Sequence, residues 1–223
     1  MGDEKRPMIR LLQAINVCYA RIYHRLEVLE PCQLPRHGPA ILVCNHISGL
    51  DPLLIQSVCP RMIVWMMAEE YYQQWGLRQL FKQVDAIAVD RTHRDLSAMR
   101  FALSALREGR ILGIFPEGRL EDTRQLLPFQ TGVALMGIKM GVPIYPSYLD
   151  GTQRGRSMVL AYLQSQSATI AFGARIALGS ANQPQDVGRA TKLIQSEVAE
   201  LRQRVLGRAV EKNSNKITKH GKK

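Results

Sequence analysis

The chain has 223 residues, enough for one domain with a small appendage, and 46% of them are apolar, which excludes a disordered chain. The 30 lysines and arginines against 19 acidic residues give a formal charge of +11, which suits an anionic membrane surface, a phosphorylated substrate or nucleic acid. Aromatic residues are only 6% and no zinc or RRM signature is present, so nucleic acid has no support. The four cysteines form no CxxC pair, which excludes a disulfide-stapled mini-protein and favours a reducing compartment.

Residues 8–29 have the periodicity of a single amphipathic helix. Its apolar positions recur at helical spacing, at Met8, Leu11, Leu12, Ile15, Tyr19, Ile22, Leu26 and Leu29. Arg10, Arg21 and Arg25 lie along one flank of this stripe. Two interpretations stay open: the helix packs on the domain, or it lies in a membrane interface with its arginines at the lipid headgroups. No stretch reaches the roughly 18 to 20 apolar residues of a spanning helix, and the N-terminus lacks a signal-peptide pattern.

From residue 40 onward, short apolar runs alternate with helical patterns. The apolar runs, typical of strands covered on both faces, are residues 41–44, 63–67, 87–89, 111–115 and 144–149. The helical patterns lie at residues 51–58, 69–81, 96–108 and 132–140. This alternation predicts a single α/β domain with a mostly parallel, mixed sheet flanked by helices. Residues 158–163 and 168–172 are predicted to add a late hairpin at one edge of the sheet.

A last amphipathic helix is predicted at residues 187–205, and the chain beyond it is polar and basic. Residues 207–223 hold six lysines and arginines against one acid, Glu211, and we expect no regular structure there. This tail either solubilises the chain or adds attraction to an acidic lipid surface. The predicted organisation is an N-terminal interfacial helix (residues 1–30), a central domain (31–206) and a basic flexible tail.

Polar residues of chemical interest follow the predicted strands, at the edge where sites gather in open α/β sheets. The first group, NHISGLDP at residues 45–52, places His46 and Asp51 five positions apart across a glycine-containing turn. Two interpretations of this spacing stay open: Asp51 accepts the Nδ1 proton of His46 and leaves Nε2 as a base, or His46 is a structural histidine. No GxSxG nucleophile elbow is present, so the base would act on a hydroxyl or a water that comes with the substrate.

Two further strand ends carry arginines. A Val-Asp-Arg strand end contains Arg91, and the FPEGR turn that follows another strand contains Arg119. Arginines at neighbouring strand ends suit a doubly charged anion such as a phosphate monoester, and the alternative for each is an ordinary surface ion pair. Gly118 would let the backbone approach a ligand closely. A fourth group, GVPIYP at residues 141–146, opens a strand and has no reactive side chain.

In this order, the NHISGLDP, Val-Asp-Arg, FPEGR and GVPIYP groups resemble the four ordered blocks of the glycerolipid acyltransferase family, the PlsC-like 1-acyl-sn-glycerol-3-phosphate acyltransferases. The resemblance covers residues 41–152, half of the chain. It implies that His46 is the catalytic base and that Asp51 is the carboxylate that orients it.

The same resemblance implies roles for the other groups. Arg91 matches the arginine that binds the phosphate of the acceptor, and Glu117 and Gly118 match the acceptor-binding turn. Pro143 matches a proline linked to the acyl-donor side or to local structure. Arg119 takes the position of a threonine in the usual Glu-Gly-Thr-Arg-Ser pattern, a reading shared with some relatives that act on other lysophospholipids, so another lysophospholipid acceptor stays open.

The resemblance implies direct acyl transfer without a bound cofactor or metal. His46 would remove the proton from the free hydroxyl of a lysophospholipid, most simply 1-acyl-glycerol-3-phosphate, as that oxygen attacks the thioester of acyl-CoA or acyl-carrier protein. The alternatives are a thioesterase or lipid hydrolase that uses the same His-Asp pair, and a basic membrane- or RNA-binding module without chemistry. A lipid acceptor and a soluble donor together imply peripheral or monotopic attachment to anionic lipids at the cytoplasmic side of the cell membrane.

Overall fold

A computed structural model of the chain describes residues 5–73, 85–90, 95–120, 125–152, 158–178 and 186–220. Over these residues the fold is one mixed sheet with helices on both faces. Its strands are β1 Glu27–Glu30, β2 Ala40–Cys44, β3 Ile63–Ala68, β4 Ile87–Val89, β5 Ile111–Ile114, β6 Ile144–Asp150 and β7 Thr169–Phe172. Its helices are α1 Lys5–Cys18, α2 Asp51–Val58, α3 Glu69–Tyr72, α4 Leu96–Arg107, α5 Gly132–Met140, α6 Met158–Leu163 and α7 Val187–His220.

The strand order across the sheet is β1-β7-β6-β2-β5-β3-β4. The strands from β6 to β4 in this order are parallel to one another. β7 runs antiparallel to β6, and β1 pairs in parallel with β7, so the strands at that edge point the other way. β2 is buried along its whole length because it has strands on both sides and helices over both faces. Because the strands from β6 to β4 are parallel, their carboxyl ends lie at one edge of the sheet.

Alternate residues of the central strands point to opposite faces, and each face has its own apolar core. On β2, Ile41 and Val43 join the core that α4, α5 and α7 cover. Leu42 and Cys44 join the core on the other face, which α2, α6 and the segment after α1 cover. The helices that follow the parallel strands are thus divided between the two faces, as in other α/β sheets.

The structure confirms the predicted α/β alternation. The five predicted central strands coincide with β2 to β6 to within one residue at each end. The helices predicted at residues 51–58 and 132–140 are α2 and α5, and the one predicted at 96–108 is α4. The helix predicted at residues 69–81 begins as α3, and residues 74–81 lie outside the described ranges. The second half of the predicted hairpin is β7.

The prediction of a single helix over residues 8–29 is wrong in its last third. α1 is followed by one π-helical turn, Tyr19–Tyr23, and then by strand β1. Arg25 has a φ of 45°, in the left-handed region that ends a right-handed helix. Beyond it, the Glu27 N–H donates to the Ala168 carbonyl at 2.9 Å. Pairing with β7, which is distant in the sequence, therefore overrides the helical period.

Two other sequence predictions are wrong. Residues 158–163, predicted as a strand, form helix α6. Their sequence MVLAYL is apolar throughout, and periodicity alone does not separate a short apolar strand from a short apolar helix. Residues 207–220, predicted to lack regular structure, continue the backbone of helix α7 to His220. No proline interrupts this stretch and most of its residues are compatible with a helix, so α7 extends beyond its packed part.

Helix α1 lies against α2 and presents part of its surface to solvent. The Asn16 side chain donates from Nδ2 to the Leu53 carbonyl at 2.9 Å, which fixes one side of α1 on α2. Three apolar side chains of α1 are nevertheless exposed, those of Leu11, Leu12 and Ile15. Within the described ranges, no helix is both long and apolar enough to cross a bilayer.

Candidate active site

The predicted His-Asp pair lies where β2 ends. β2 passes into a short loop that returns at Asp51, the first residue of α2. The Asn45 side chain fixes the start of this loop to β6 by two hydrogen bonds with the backbone of Leu149. Its Oδ1 accepts the Leu149 N–H at 2.9 Å, and its Nδ2 donates to the Leu149 carbonyl at 3.0 Å. The loop then brings His46 Nδ1 to 3.0 Å from Asp51 Oδ2. The spacing of the two residues in the sequence thus predicted their contact correctly.

The Asp51 carboxylate is fully buried and accepts four hydrogen bonds. Oδ2 accepts from His46 Nδ1 at 3.0 Å, from the Ile47 N–H at 2.8 Å and from the Ser48 N–H at 2.9 Å. Oδ1 accepts from the Thr152 hydroxyl at 3.1 Å. A buried carboxylate with this many donors is held in one orientation, and its position at the N-terminus of α2 adds the favourable end of the helix dipole.

These contacts determine the tautomer of His46. An ionised carboxylate only accepts hydrogen bonds, so the His46 ring must donate from Nδ1, and its Nε2 carries the free lone pair. The side chain of His46 is 20% exposed, whereas that of Asp51 is fully buried. Within the described ranges, no protein group bonds to Nε2. The accessible nitrogen is therefore the basic one, as general-base catalysis requires.

A stack of aromatic rings supports the imidazole. The His46 and Phe115 rings lie with centroids 4.0 Å apart and planes 14° apart, and the Phe115 and Trp65 rings are 4.9 Å and 10° apart. A Cβ atom at Gly113 would lie 2.5 Å from the Trp65 ring, so only glycine leaves room for the stack. The stack fixes the plane of the imidazole.

The FPEGR turn is tied to the same loop. Glu117 is buried, and its Oε1 accepts the His46 N–H at 3.3 Å while its Oε2 accepts the Leu127 N–H at 3.1 Å. Gly118 has a φ of 69°, and a Cβ atom there would lie 2.3 Å from Gln130 Nε2. The turn therefore needs glycine, and its glutamate holds the His46 backbone. These contacts are additional to the acceptor-binding role that the resemblance implied for Glu117 and Gly118, which stays a prediction.

Helix α6, where a strand was predicted, contributes Tyr162 to this region. The Tyr162 hydroxyl donates to the Gly49 carbonyl at 3.3 Å, and Tyr19 donates to the Tyr162 carbonyl at 2.6 Å. Burial, with smaller contributions from Tyr19 and Asp51, raises the pKa of Tyr162 to about 12. Tyr162 therefore stays neutral at physiological pH and acts as a hydrogen-bond donor to the dyad loop.

Within the described ranges, the structure does not bring the other predicted site residues into contact with the His-Asp pair. Arg91 lies outside the described ranges. Arg119, the last residue of the FPEGR turn, is exposed. Pro143 lies at the opposite end of the strands from His46, because its carbonyl accepts the Ile41 N–H at 3.0 Å at the amino end of β2. The structure thus joins His46, Asp51 and Glu117, and it separates Pro143 from them. Within the described ranges, no group of three or more ligating side chains could hold a metal ion.

Besides Tyr162, sequence reasoning assigned no role to three residues whose side chains contact the dyad or belong to its loop. Asn45 and Phe115 belong to the NHISGLDP and FPEGR groups, so the sequence placed them near the site. It did not predict their contacts. Thr152 is 101 positions from Asp51, and nothing in its local sequence indicates that its hydroxyl reaches the carboxylate.

The chain is similar in sequence to known proteins. A family model described as Acyltransferase matches residues 25–150, more than half of the chain. The chain is 25% identical over 134 residues to a 1-acyl-sn-glycerol-3-phosphate acyltransferase of Bacillus subtilis, covering 60% of this chain and 66% of that protein. It is 30% identical over 125 residues to the human 1-acyl-sn-glycerol-3-phosphate acyltransferase beta, covering 55% of this chain and 45% of that protein. The chain therefore spans less than two thirds of these relatives.

The fold also matches a solved structure. The crystal structure of the 1-acyl-sn-glycerophosphate acyltransferase PlsC from Thermotoga maritima superposes with a TM-score of 0.72 over 92% of this chain and 83% of that one, at 18% identity. At this identity the match establishes the fold, and the family model establishes the kinship. The chain belongs to the acyltransferase family.

Proposed function

We propose that this protein transfers an acyl group from acyl-CoA or acyl-carrier protein to the free hydroxyl of 1-acyl-glycerol-3-phosphate, with His46 as general base. The observation that carries the proposal is the 3.0 Å contact between His46 Nδ1 and Asp51 Oδ2, which leaves Nε2 free and accessible. Within the described ranges, no serine or cysteine side chain bonds to His46, so the geometry favours a nucleophile supplied by the substrate over a covalent acyl-enzyme.

The proposed reaction proceeds in two steps. His46 Nε2 takes the proton of the acceptor hydroxyl as its oxygen attacks the thioester carbonyl, forming a tetrahedral intermediate and an imidazolium. The intermediate then collapses, the carbon–sulfur bond breaks, and the leaving thiolate takes the proton from His46. Asp51 stabilises the imidazolium in between.

Two observations bear on the acceptor. The relatives described above carry the name 1-acyl-sn-glycerol-3-phosphate acyltransferase, and Arg119 ends the turn whose glutamate holds His46, where a guanidinium would suit a phosphate. We propose Arg91 as a second phosphate ligand from its place in the sequence alone. The second candidate acceptor is another lysophospholipid, which the arginine at position 119 favours.

We also propose that the enzyme attaches to an anionic membrane surface through α1 and the turn after it. Leu11 and Ile15 of α1 are 62% and 56% exposed, and Ile22 of the turn is 77% exposed. Arg21 and Arg25 are exposed nearby in the chain, where they suit lipid headgroups. Because these three apolar side chains are exposed, they are available to lipid.

The substrates are tested by crossing the two thioester donors with vesicles that contain 1-acyl-glycerol-3-phosphate, 1-acyl-glycerophosphocholine or no lysolipid. Mass spectrometry of the diacyl product and of free fatty acid then reports transfer and hydrolysis separately. We expect phosphatidate from the first acceptor, no product with His46→Ala, and full activity with the control His37→Ala, which changes an exposed histidine. Release of free fatty acid without an acceptor would instead identify a hydrolase.

Membrane attachment is tested by flotation of the full chain on anionic vesicles at low and high salt. One variant changes Leu11, Ile15 and Ile22 together to Ser. The matched control changes three exposed apolar residues of α4 and α5 to Ser, namely Leu96, Phe101 and Leu135. We expect the first triple variant to lose salt-resistant binding and the control to keep it. Equal flotation of both variants would show that α1 is not the attachment surface.

A further inference from the structure

Two thiols that the proposed chemistry does not use lie against each other near the dyad helix. Cys32 belongs to the connection between β1 and β2, and Cys59 follows the last residue of α2. Their Sγ atoms hydrogen-bond at 3.4 Å across 27 positions of sequence. Both are free thiols. We propose that Cys32 and Cys59 form a redox-active pair that a hydroperoxide converts into a disulfide and that a small thiol reduces again.

The fold holds the two segments together independently of the cysteines. Arg61, two residues after Cys59, donates from its guanidinium to the Pro35 carbonyl at 3.1 Å and to the Gly38 carbonyl at 2.6 Å, both in the connection that carries Cys32. These hydrogen bonds keep the connection against the end of α2. The contact of the two thiols is therefore a property of the folded chain, and their oxidation needs a small local movement only.

The two thiols differ in reactivity. Cys32 is partly exposed, and the hydrogen bond from Cys59 outweighs burial and lowers the pKa of Cys32. The same hydrogen bond, together with burial, raises the pKa of Cys59. The thiolate is the form that reacts with peroxides, so Cys32 is the attacking thiol and Cys59 the resolving one.

The other two cysteines lack this arrangement. Cys44 is fully buried in β2, and burial raises its pKa. Cys18 is exposed on α1, and within the described ranges no other thiol bonds to it. Cys18 thus serves as the control for an exposed thiol without a neighbouring thiol, and Cys44 as the control for a buried thiol that peroxide does not reach.

The reaction balances in two steps. The Cys32 thiolate attacks the peroxide, the O–O bond breaks, and Cys32 becomes a sulfenic acid while hydroxide (or an alkoxide) leaves. The Cys59 thiol then attacks the sulfenic sulfur, the S–S bond forms, and the sulfenic oxygen leaves as water with the thiol proton. Two thiols are oxidised and one peroxide is reduced. A dithiol such as dithiothreitol reverses the change by exchange.

The consequence is a covalent link between the β1–β2 connection and the end of the helix that begins with Asp51. Such a link restricts the unfolded chain between positions 32 and 59. We therefore expect the oxidised protein to unfold at a higher temperature than the reduced protein.

The test treats the purified full chain with one equivalent of hydrogen peroxide and counts thiols after denaturation. We expect the number of free thiols to fall from four to two and to return to four with dithiothreitol. Trypsin should release peptide 26–36 linked to peptide 37–61, and fragmentation of the linked pair should place the bond on Cys59 rather than Cys44. A bond to Cys44, a bond between two chains, or four remaining thiols would overturn the proposal.

Variants assign the two roles. Cys59→Ser should leave Cys32 as a sulfenic acid that dimedone labels, whereas Cys32→Ser should give no label on Cys59. Cys18→Ser should form the disulfide as the unmodified chain does. Equal dimedone labelling of Cys32 and Cys59 in the two single variants would contradict the assigned order of attack, and loss of the disulfide in Cys18→Ser would contradict the assigned pair.

Discussion

His46 and His24 both pack against the core, but their surroundings are opposite. His46 is partly exposed, donates to a buried carboxylate and stacks face to face on Phe115. His24 is fully buried, and Tyr19 and Tyr23 meet its ring edge-on at centroid distances of 4.6 and 5.1 Å. Within the described ranges, neither ring nitrogen of His24 has a hydrogen-bond partner.

This difference shows that the surroundings of a histidine, and not the residue type, decide its use. His46 has a carboxylate on one side and solvent on the other, which is the arrangement that the proposed general base needs. Burial lowers the pKa of His24 because the charged form has no partner there. His24 therefore serves as a neutral core residue. It lies directly after the π-helical turn that follows α1. Four substitutions test this difference between the two histidines.

Of these four changes, the largest effect is expected from Asp51→Asn, which removes the charge that orients His46. The amide cannot accept all four hydrogen bonds, and it favours the tautomer with the proton on Nε2. We expect kcat to fall on the order of 10³- to 10⁴-fold, as for the equivalent change in Ser-His-Asp enzymes. Steady-state kinetics on vesicle substrates measure this, and a loss smaller than tenfold would show that Asp51 does not set the tautomer.

Gly113→Ala should disturb the ring stack without touching the dyad. The new methyl group would lie 2.5 Å from the Trp65 ring, so Trp65 and Phe115 must move. We expect a loss of about 1–3 kcal/mol in the free energy of unfolding. A fall in kcat of about 10- to 100-fold should accompany it, because small misplacements of catalytic groups are costly.

The matched control for this change is Gly132→Ala at the start of α5, where a Cβ atom would meet nothing within 4 Å. Unchanged kinetics are expected for the control. If Gly113→Ala were as active as Gly132→Ala, the stack would be ordinary packing with no part in placing the imidazole.

Thr152→Val should have a smaller effect. It preserves the shape of the side chain but leaves Asp51 Oδ1 without the hydroxyl donor. We expect about a tenfold loss in kcat with little change in KM. Thr152→Ser keeps the hydroxyl and should restore kcat. Equal kcat values for the Val and Ser variants would rule out a positioning role for this hydrogen bond.

The smallest effect, and one on stability alone, is expected from His24. Because the pKa of His24 is lowered below its ordinary value of 6.5 in the folded state, the unfolded chain binds the proton more readily below about pH 6.5. The free energy of unfolding should therefore fall as the pH drops through this range, by at most about 1.4 kcal/mol per pH unit for one proton.

Urea unfolding between pH 7.5 and 5 measures this slope. His24→Phe should remove its share of the slope and leave acyl transfer at neutral pH intact, whereas His37→Ala should keep the slope. An identical slope in the unmodified chain and in His24→Phe would mean that His24 is already protonated in the fold or is not buried in solution.

The dyad was predictable because its contacts are local. His46, Ile47 and Ser48 all lie within five positions of Asp51, so one turn brings the donors to the carboxylate. The central strands were predictable for a similar reason, since each is a short apolar run closed by a polar loop.

The region around His24 was not predictable in the same way. β1 exists because it pairs with β7 more than a hundred positions away, and the π-helical turn before it interrupts a period that looked helical. Thr152 and Trp65 likewise reach the site through pairing and stacking between distant segments. Local pattern thus identifies the residues proposed to react, and tertiary contacts determine the side chains that hold them.

We propose that the free nitrogen of His46 removes the proton of the acceptor. The substitution His46→Gln tests this role of the imidazole. Glutamine has a similar size but no basic nitrogen. The measurement is the initial rate of phosphatidate formation from acyl thioester and 1-acyl-glycerol-3-phosphate, with urea unfolding of the same sample. We predict a rate lower by about 10² to 10⁴-fold with the free energy of unfolding within about 1 kcal/mol of the unmodified chain. A stable His46→Gln variant that retained more than a tenth of the rate would contradict the account.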